Sequence, residues 1–145
     1  LIPSSEVSGP MAVQEGAKYL EMAQGGHGVL LGGVPGVDPG TVLIIGGGVV
    51  GLSAAMMACG LGAHVHVLDT NLNRLRYLSD VMPDNCFASM SSPATIRDLL
   101  SKADLVEAEE RLAATVATAD SACARADSRS FSDALAFAYR PLVRS

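Results

Sequence analysis

One stretch constrains the chain more than any other: an apolar run, Val42-Leu-Ile-Ile45, that breaks straight into Gly46-Gly-Gly48-Val49-Val50-Gly51. Four consecutive apolar residues, mostly β-branched, read as a parallel strand buried on both faces. Each glycine of the G-x-G-x-x-G spacing then has its own task. Gly46 turns the chain sharply out of the strand. Gly48 has no Cβ, so its backbone can come close to a diphosphate. Gly51 lets the next helix pack tightly on the sheet. The helix predicted over 49–59 opens with amides that have no partner inside it. With the positive end of its dipole they suit an anion.

A bare glycine fingerprint is a weak signal in a chain holding 15 glycines. The flanking elements make it stronger. Val65 and Val67 alternate with His64 and His66 as a second strand, closing on Asp69. That acid follows the first glycine by roughly 20 residues, the separation expected of a ribose-binding carboxylate. It would accept hydrogen bonds from the adenosine ribose and repel a 2′-phosphate, so the pocket is predicted to prefer NAD over NADP.

The α/β alternation continues beyond Asp69. Leu72, Leu75 and Leu78 repeat at helical spacing, with Asp69 or Thr70 as the expected cap. Cys86 to Met90 reads as a third strand. Ser92-Pro93 is a helix start, a capping serine before a proline at the first helical position, and Ile96, Leu99 and Leu100 supply that helix's apolar face. Asp104-Leu105-Val106 opens a fourth strand. Such β-α units imply right-handed crossovers. The predicted fold class is therefore α/β: a Rossmann-like, doubly wound parallel sheet, incomplete at three to four strands.

Three segments are expected. Residues 1–40 hold an N-terminal helix and a glycine-rich connector. The helix is predicted from about Met11, because Pro10 is poorly tolerated in a helix interior. The connector is either a hinge or a rigid packed loop. Residues 41–106 form the dinucleotide-binding unit. Residues 107–145 are a divergent tail, where Leu105-Val106 gives way to Glu107-Ala-Glu-Glu-Arg and an alanine-rich, mainly helical or irregular stretch.

With 145 residues, 49% of them apolar, the chain has enough to build one core. A net charge of −5 argues against nucleic acid, which needs a basic footprint. No uninterrupted apolar stretch suits a membrane span, and the opening Leu1-Ile-Pro-Ser-Ser-Glu lacks the basic start of a secretion leader. A cytoplasmic location is the expectation. Cys59, Cys86 and Cys123 are an odd number, and their spacing fits neither zinc nor a redox pair. Cys59 and Cys86 read as small buried hydrophobes.

With these residues in view, the chain resembles the alanine dehydrogenase family, which also takes in the nicotinamide nucleotide transhydrogenase α subunit. The resemblance rests on Ile2-Pro-Ser-Ser-Glu-Val-Ser-Gly, on Gln24-Gly-Gly-His-Gly-Val-Leu-Leu-Gly-Gly-Val-Pro-Gly-Val, and on the glycine fingerprint. It continues through Leu68-Asp-Thr-Asn-Leu-Asn-Arg-Leu-Arg-Tyr-Leu and Ala103-Asp-Leu-Val, and so covers residues 1–106. It implies NAD as cofactor and a reaction converting L-alanine, NAD and water to pyruvate, ammonia and NADH. It also implies a homo-oligomer.

At matching positions the resemblance implies that Ser5 lies near the cofactor and that the backbone of Val49 and Val50 meets the pyrophosphate. Asp69 would be the ribose acid, Arg74 a basic residue near the adenosine, and Ser91 a serine beside the adenine. From the residues alone, Arg74 reads equally as a solvated helix charge and Ser91 as a strand-end cap. Pro10 stands where the family usually has a basic residue. Glu107-Ala-Glu-Glu replaces the family's glycine- and proline-bearing cofactor loop, and the family's later catalytic Asp has no counterpart in the tail. The family's substrate-binding Lys and His belong to a domain preceding residue 1. No catalytic residue and no metal site is therefore expected within the chain, and His27, His64 and His66 read as structural. Two other readings stay open: a non-catalytic NAD-binding module, and a fragment of a transhydrogenase α subunit.

Overall fold

A computed structural model describes residues 2–108. The alanine-rich, mainly helical or irregular stretch expected of the tail and Cys123 lie outside the described residues. Nine elements follow in chain order: helix α1 (Ile2–Tyr19), a short 3-10 turn (Met22–Gln24), β1 (Thr41–Ile45), α2 (Val49–Leu61), β2 (His64–Asp69), α3 (Leu72–Val81), β3 (Cys86–Met90), α4 (Pro93–Leu100) and β4 (Leu105–Ala108).

The four strands make one sheet, wholly parallel, in the order β3-β2-β1-β4. Central β1 explains the apolar run, since Val42 to Ile45 are all buried. Val42 and Ile44 face one core with Ala54, Ala58, Val65, Val67 and Leu78, under α1, α2 and α3. Leu43 and Ile45 face the other, with Leu68, Ile96 and Val106, under α4. Helix α4 carries the chain from one edge of the sheet to the other across the second face. The order thus reverses between β1 and β4, and α/β folds place ligands at the carboxyl ends of strands beside such a reversal.

Local chemistry sets most boundaries. Ser92 caps α4 by accepting from the Thr95 amide at 3.1 Å, with Pro93 at the first helical position as expected. The cap of α3 is Asn71, not Asp69 or Thr70: its Oδ1 accepts from the amides of Asn73 at 3.0 Å and Arg74 at 3.2 Å. Asp69 is committed elsewhere, as the site shows. Of the three leucines expected on the apolar face of α3, Leu75 and Leu78 are buried and Leu72 is exposed.

Two further expectations need correcting. Helix α1 begins at Ile2 rather than Met11 and holds Pro10 in its interior. Proline removes the amide that would bond the Glu6 carbonyl, yet tertiary packing outweighs that loss. Gly9 presses so closely on α2 that a Cβ there would lie 2.4 Å from the Val50 carbonyl oxygen, and Val13 is fully buried. Fourth strand β4 also continues past Val106 through Glu107, which pairs in register with Ile44 and is buried despite its charge. The glycine-rich connector is a packed loop rather than a free hinge. The Gly28 amide donates to Leu20 at 2.8 Å and the Gly40 amide to Leu31 at 2.9 Å, and Leu31 is buried.

Candidate functional site

The glycine turn joins the carboxyl end of β1 to α2, at the rim of the sheet. Gly46 takes a φ of 113°, a left-handed conformation that disfavours side chains, and so swings the chain off the strand. Its amide still donates to Leu68 on β2 at 2.8 Å. Gly51 has no room for a methyl, because a Cβ would sit 1.8 Å from the Gly46 carbonyl oxygen. That contact sets how tightly α2 begins.

Two side chains hold the turn from the β2–α3 side. The half-buried Asp69 directs Oδ2 at the Gly47 amide, 2.8 Å away, and Oδ1 at the Asn71 amide, 2.7 Å away. Arg74 donates from Nε to the Gly47 carbonyl and from Nη2 to the Gly48 carbonyl at 3.2 Å. Its guanidinium also lies over the Tyr77 ring, 5.0 Å from the centroid. In this structure, then, Arg74 is not a solvated helix charge.

The consequence follows from peptide geometry. The C=O and N–H of a trans peptide point in opposite directions. With the Gly47 and Gly48 carbonyls drawn toward Arg74, the amides of Gly48 and Val49 are turned the other way. Among the described residues, the amides of Gly48, Val49, Val50 and Gly51 have no acceptor, and no side chain caps α2. A helix start with bare amides and its positive dipole end suits a diphosphate. Asp69 spends one bond on each oxygen, and a carboxylate has about four lone-pair sites. Capacity for two sugar hydroxyls remains beside those amides. The donor and acceptor set therefore fits a dinucleotide.

Ser91 lies on the same rim, its amide donating to the Asp69 carbonyl at 2.9 Å. Ser5 is half-buried on α1, one helical turn before Gly9 and thus on the side of that helix that meets α2. The structure brings together Gly46, Gly48, Val49, Val50, Gly51, Asp69, Arg74 and Ser91, and places Ser5 on the neighbouring helix. The histidines stand apart. His27 is exposed in the connector, and His64 opens β2 at the rim opposite the turn. His66 stacks on Phe87 with centroids 5.5 Å apart. Its pKa is lowered by burial first, then by the positive charges of His64 and Lys102.

Three functional features escape sequence reasoning. Gly47 is the residue that both Asp69 and Arg74 grip; its place inside the triple glycine was the available signal. Asn71 frees Asp69 from capping duty, and an asparagine one residue before Leu72 could have been read as the cap. Glu107 has no sequence signal for burial. It is 7% exposed, its Oε2 lacks a partner among the described residues, and burial pushes its carboxyl up to about 8. It lies on β4 beside Ile44, one residue short of the end of β1.

Comparison with known proteins agrees with this architecture. Residues 12–123 match the family model described as alanine dehydrogenase/PNT, C-terminal domain. Alanine dehydrogenase of Bacillus subtilis is 53% identical over 106 residues, and that of Methanococcus maripaludis 51%. Each match spans 73% of this chain and 28% of the relative. Among solved structures, an L-alanine dehydrogenase superposes with a TM-score of 0.71 at 51% identity, covering 73% of this chain and 29% of that one. A transhydrogenase from Sinorhizobium meliloti, at 23% identity and TM-score 0.59, shares the fold. The chain thus spans little more than a quarter of the relatives' length. On the fold, the glycine turn and these matches together, the chain belongs to the alanine dehydrogenase/PNT C-terminal domain family.

Proposed function

We propose that the chain is the NAD-binding portion of an alanine dehydrogenase-like oxidoreductase, which interconverts L-alanine with pyruvate and ammonia while NAD accepts a hydride. The observation that carries this reading is the pairing of bare turn amides with a carboxylate that still has free lone pairs, on one rim of a parallel sheet. In this reading the amides of Gly48, Val49 and Val50 receive the pyrophosphate, and Asp69 takes the adenosine ribose hydroxyls. Arg74 is a positioning residue that fixes the peptide planes. Ser91 and Ser5 border the adenine and the rest of the cofactor. The chain orients the cofactor, and groups outside it bind the amino acid. Homo-oligomeric assembly and a cytoplasmic setting belong to the same reading.

Calorimetric titration with NAD and NADP tests the proposal. NAD should bind and NADP should bind much more weakly. Asp69→Asn keeps the size but loses the charge that repels a 2′-phosphate. It should weaken NAD by about 10-fold, the value of one charge-assisted hydrogen bond, and narrow the preference. Equal affinity of the unaltered chain for both nucleotides, or for neither, would overturn the reading.

A further inference from the structure

At the opposite rim of the sheet from the glycine turn, two cysteines distant in sequence meet. Cys59 ends the buried face of α2, and Cys86 opens β3. Both pack on the core under α2, Cys59 7% exposed and Cys86 half-buried. Backbone geometry brings them together. Asn85, next to Cys86, donates from Nδ2 to the Cys59 carbonyl at 3.1 Å and to the Ala63 carbonyl at 2.8 Å. The Val65 amide donates to the Asn85 carbonyl at 2.9 Å, and Cys86 stands in register with Val65, itself in the same core. Each thiol is the first influence on the other's titration, and the Asn85 bonds hold their backbones side by side. Both pack in the apolar core, Cys59 buried as expected and Cys86 only half-buried, and they are also each other's neighbours.

We propose that Cys59 and Cys86 form a peroxide-oxidisable dithiol that closes a disulfide between α2 and β3. Cys86, the more exposed, is the attacking sulfur. Its thiolate attacks one peroxide oxygen, an S–O bond forms and the O–O bond breaks, and the departing hydroxide leaves as water with the thiol proton. Cys59 sulfur then attacks the resulting sulfenic acid. The S–S bond forms, the S–O bond breaks, and hydroxide leaves with the Cys59 proton as a second water. The dithiol loses two electrons and one peroxide becomes two waters. The division of labour agrees with the electrostatics. The neighbouring Cys59 thiol lowers the pKa of Cys86, while Cys86 and then burial raise that of Cys59. Once Cys86 is a sulfenic acid, its negative charge no longer opposes ionisation of Cys59. This proposal does not depend on nucleotide binding.

The test is stoichiometric hydrogen peroxide on the full 145-residue chain, followed by alkylation, non-reducing digestion and mass spectrometry. A Cys59–Cys86 linked peptide, two hydrogens lighter than its separate parts and reversed by dithiothreitol, is expected, with a rise in Tm of roughly 5–15 °C from cross-linking a loop of this length. The same peptide should form in Cys123→Ser. Should that variant fail to fold, the unaltered chain still reports which cysteines join. Linkage through Cys123 instead, oxidation of Cys86 to sulfinic acid while Cys59 stays alkylatable, or two thiols that both remain alkylatable would each overturn the proposal.

Discussion

Arg74 shows how one side chain can shape a site through the backbone. Two of its five donors go to the carbonyls of Gly47 and Gly48, which aims the opposite faces of those peptides. Arg74→Met keeps the aliphatic stem and removes both bonds. Charge-assisted bonds contribute about 1.5–3 kcal/mol each, and the loss reaches the cofactor only through the turn. NAD affinity should fall by roughly 10- to 100-fold in calorimetry while far-ultraviolet circular dichroism stays unchanged. Arg74→Lys restores charge but not the two-pronged geometry, so it should rescue only part of the affinity. Asn71 is a simpler case. Its side chain caps two amides of α3, and Asn71→Ala should lower stability by about 1 kcal/mol, read as a shift in the urea midpoint without a change in slope.

Helices and strands here owe their bounds to two kinds of cause. Local chemistry suffices for α4, where serine and proline mark the start, and for β1, where an unbroken apolar run fits a central parallel strand. It does not suffice for α1. Judged by its own residues the first turns should unwind at Pro10, but the face carrying Gly9 and Val13 is held against α2 and the core. Ser8 Oγ also bonds the Ser4 carbonyl at 2.8 Å, a back-bond that accompanies bent helices. Gly9→Ala tests which force dominates. The added methyl would strike α2 backbone, which yields far less readily than a side chain, so overpacking should cost about 1–3 kcal/mol. Thermal unfolding should show a Tm lower by several degrees. An unchanged Tm would mean that α1 contributes little to holding the sheet.

The assembled domain carries one internal tension, the carboxyl of Glu107 on the α1 side of the sheet with no bonding partner for Oε2 among the described residues. Its pKa is raised by burial to about 8, well above the ordinary value of 4.5. The folded state therefore binds more protons than the unfolded state between these two values. Stability contributed by this group should be full below about pH 4.5, fall as pH rises through the window, and level off above about 8, with a slope of at most about 1.4 kcal/mol per pH unit. Urea unfolding from pH 5 to 8 should show that decline, and Glu107→Gln should flatten it. A decline of equal slope in the variant would assign it to other groups.

Much of this was legible in the residues alone. Strand, glycine turn, small-residue helix and acid-ended second strand follow from short-range rules, because burial on both faces, left-handed φ and a proline at a helix start each leave a mark within a few positions. Asp69 could be named for the same reason: its distance from the glycines is set by one helix and one strand. The extent of α1, the grip of Arg74 on the turn, the burial of Glu107 and the meeting of Cys59 with Cys86 could not. Each depends on which face of which element ends up opposite another, and that is decided when the sheet orders its strands and the helices choose their sides, where packing across distant segments outweighs local preference.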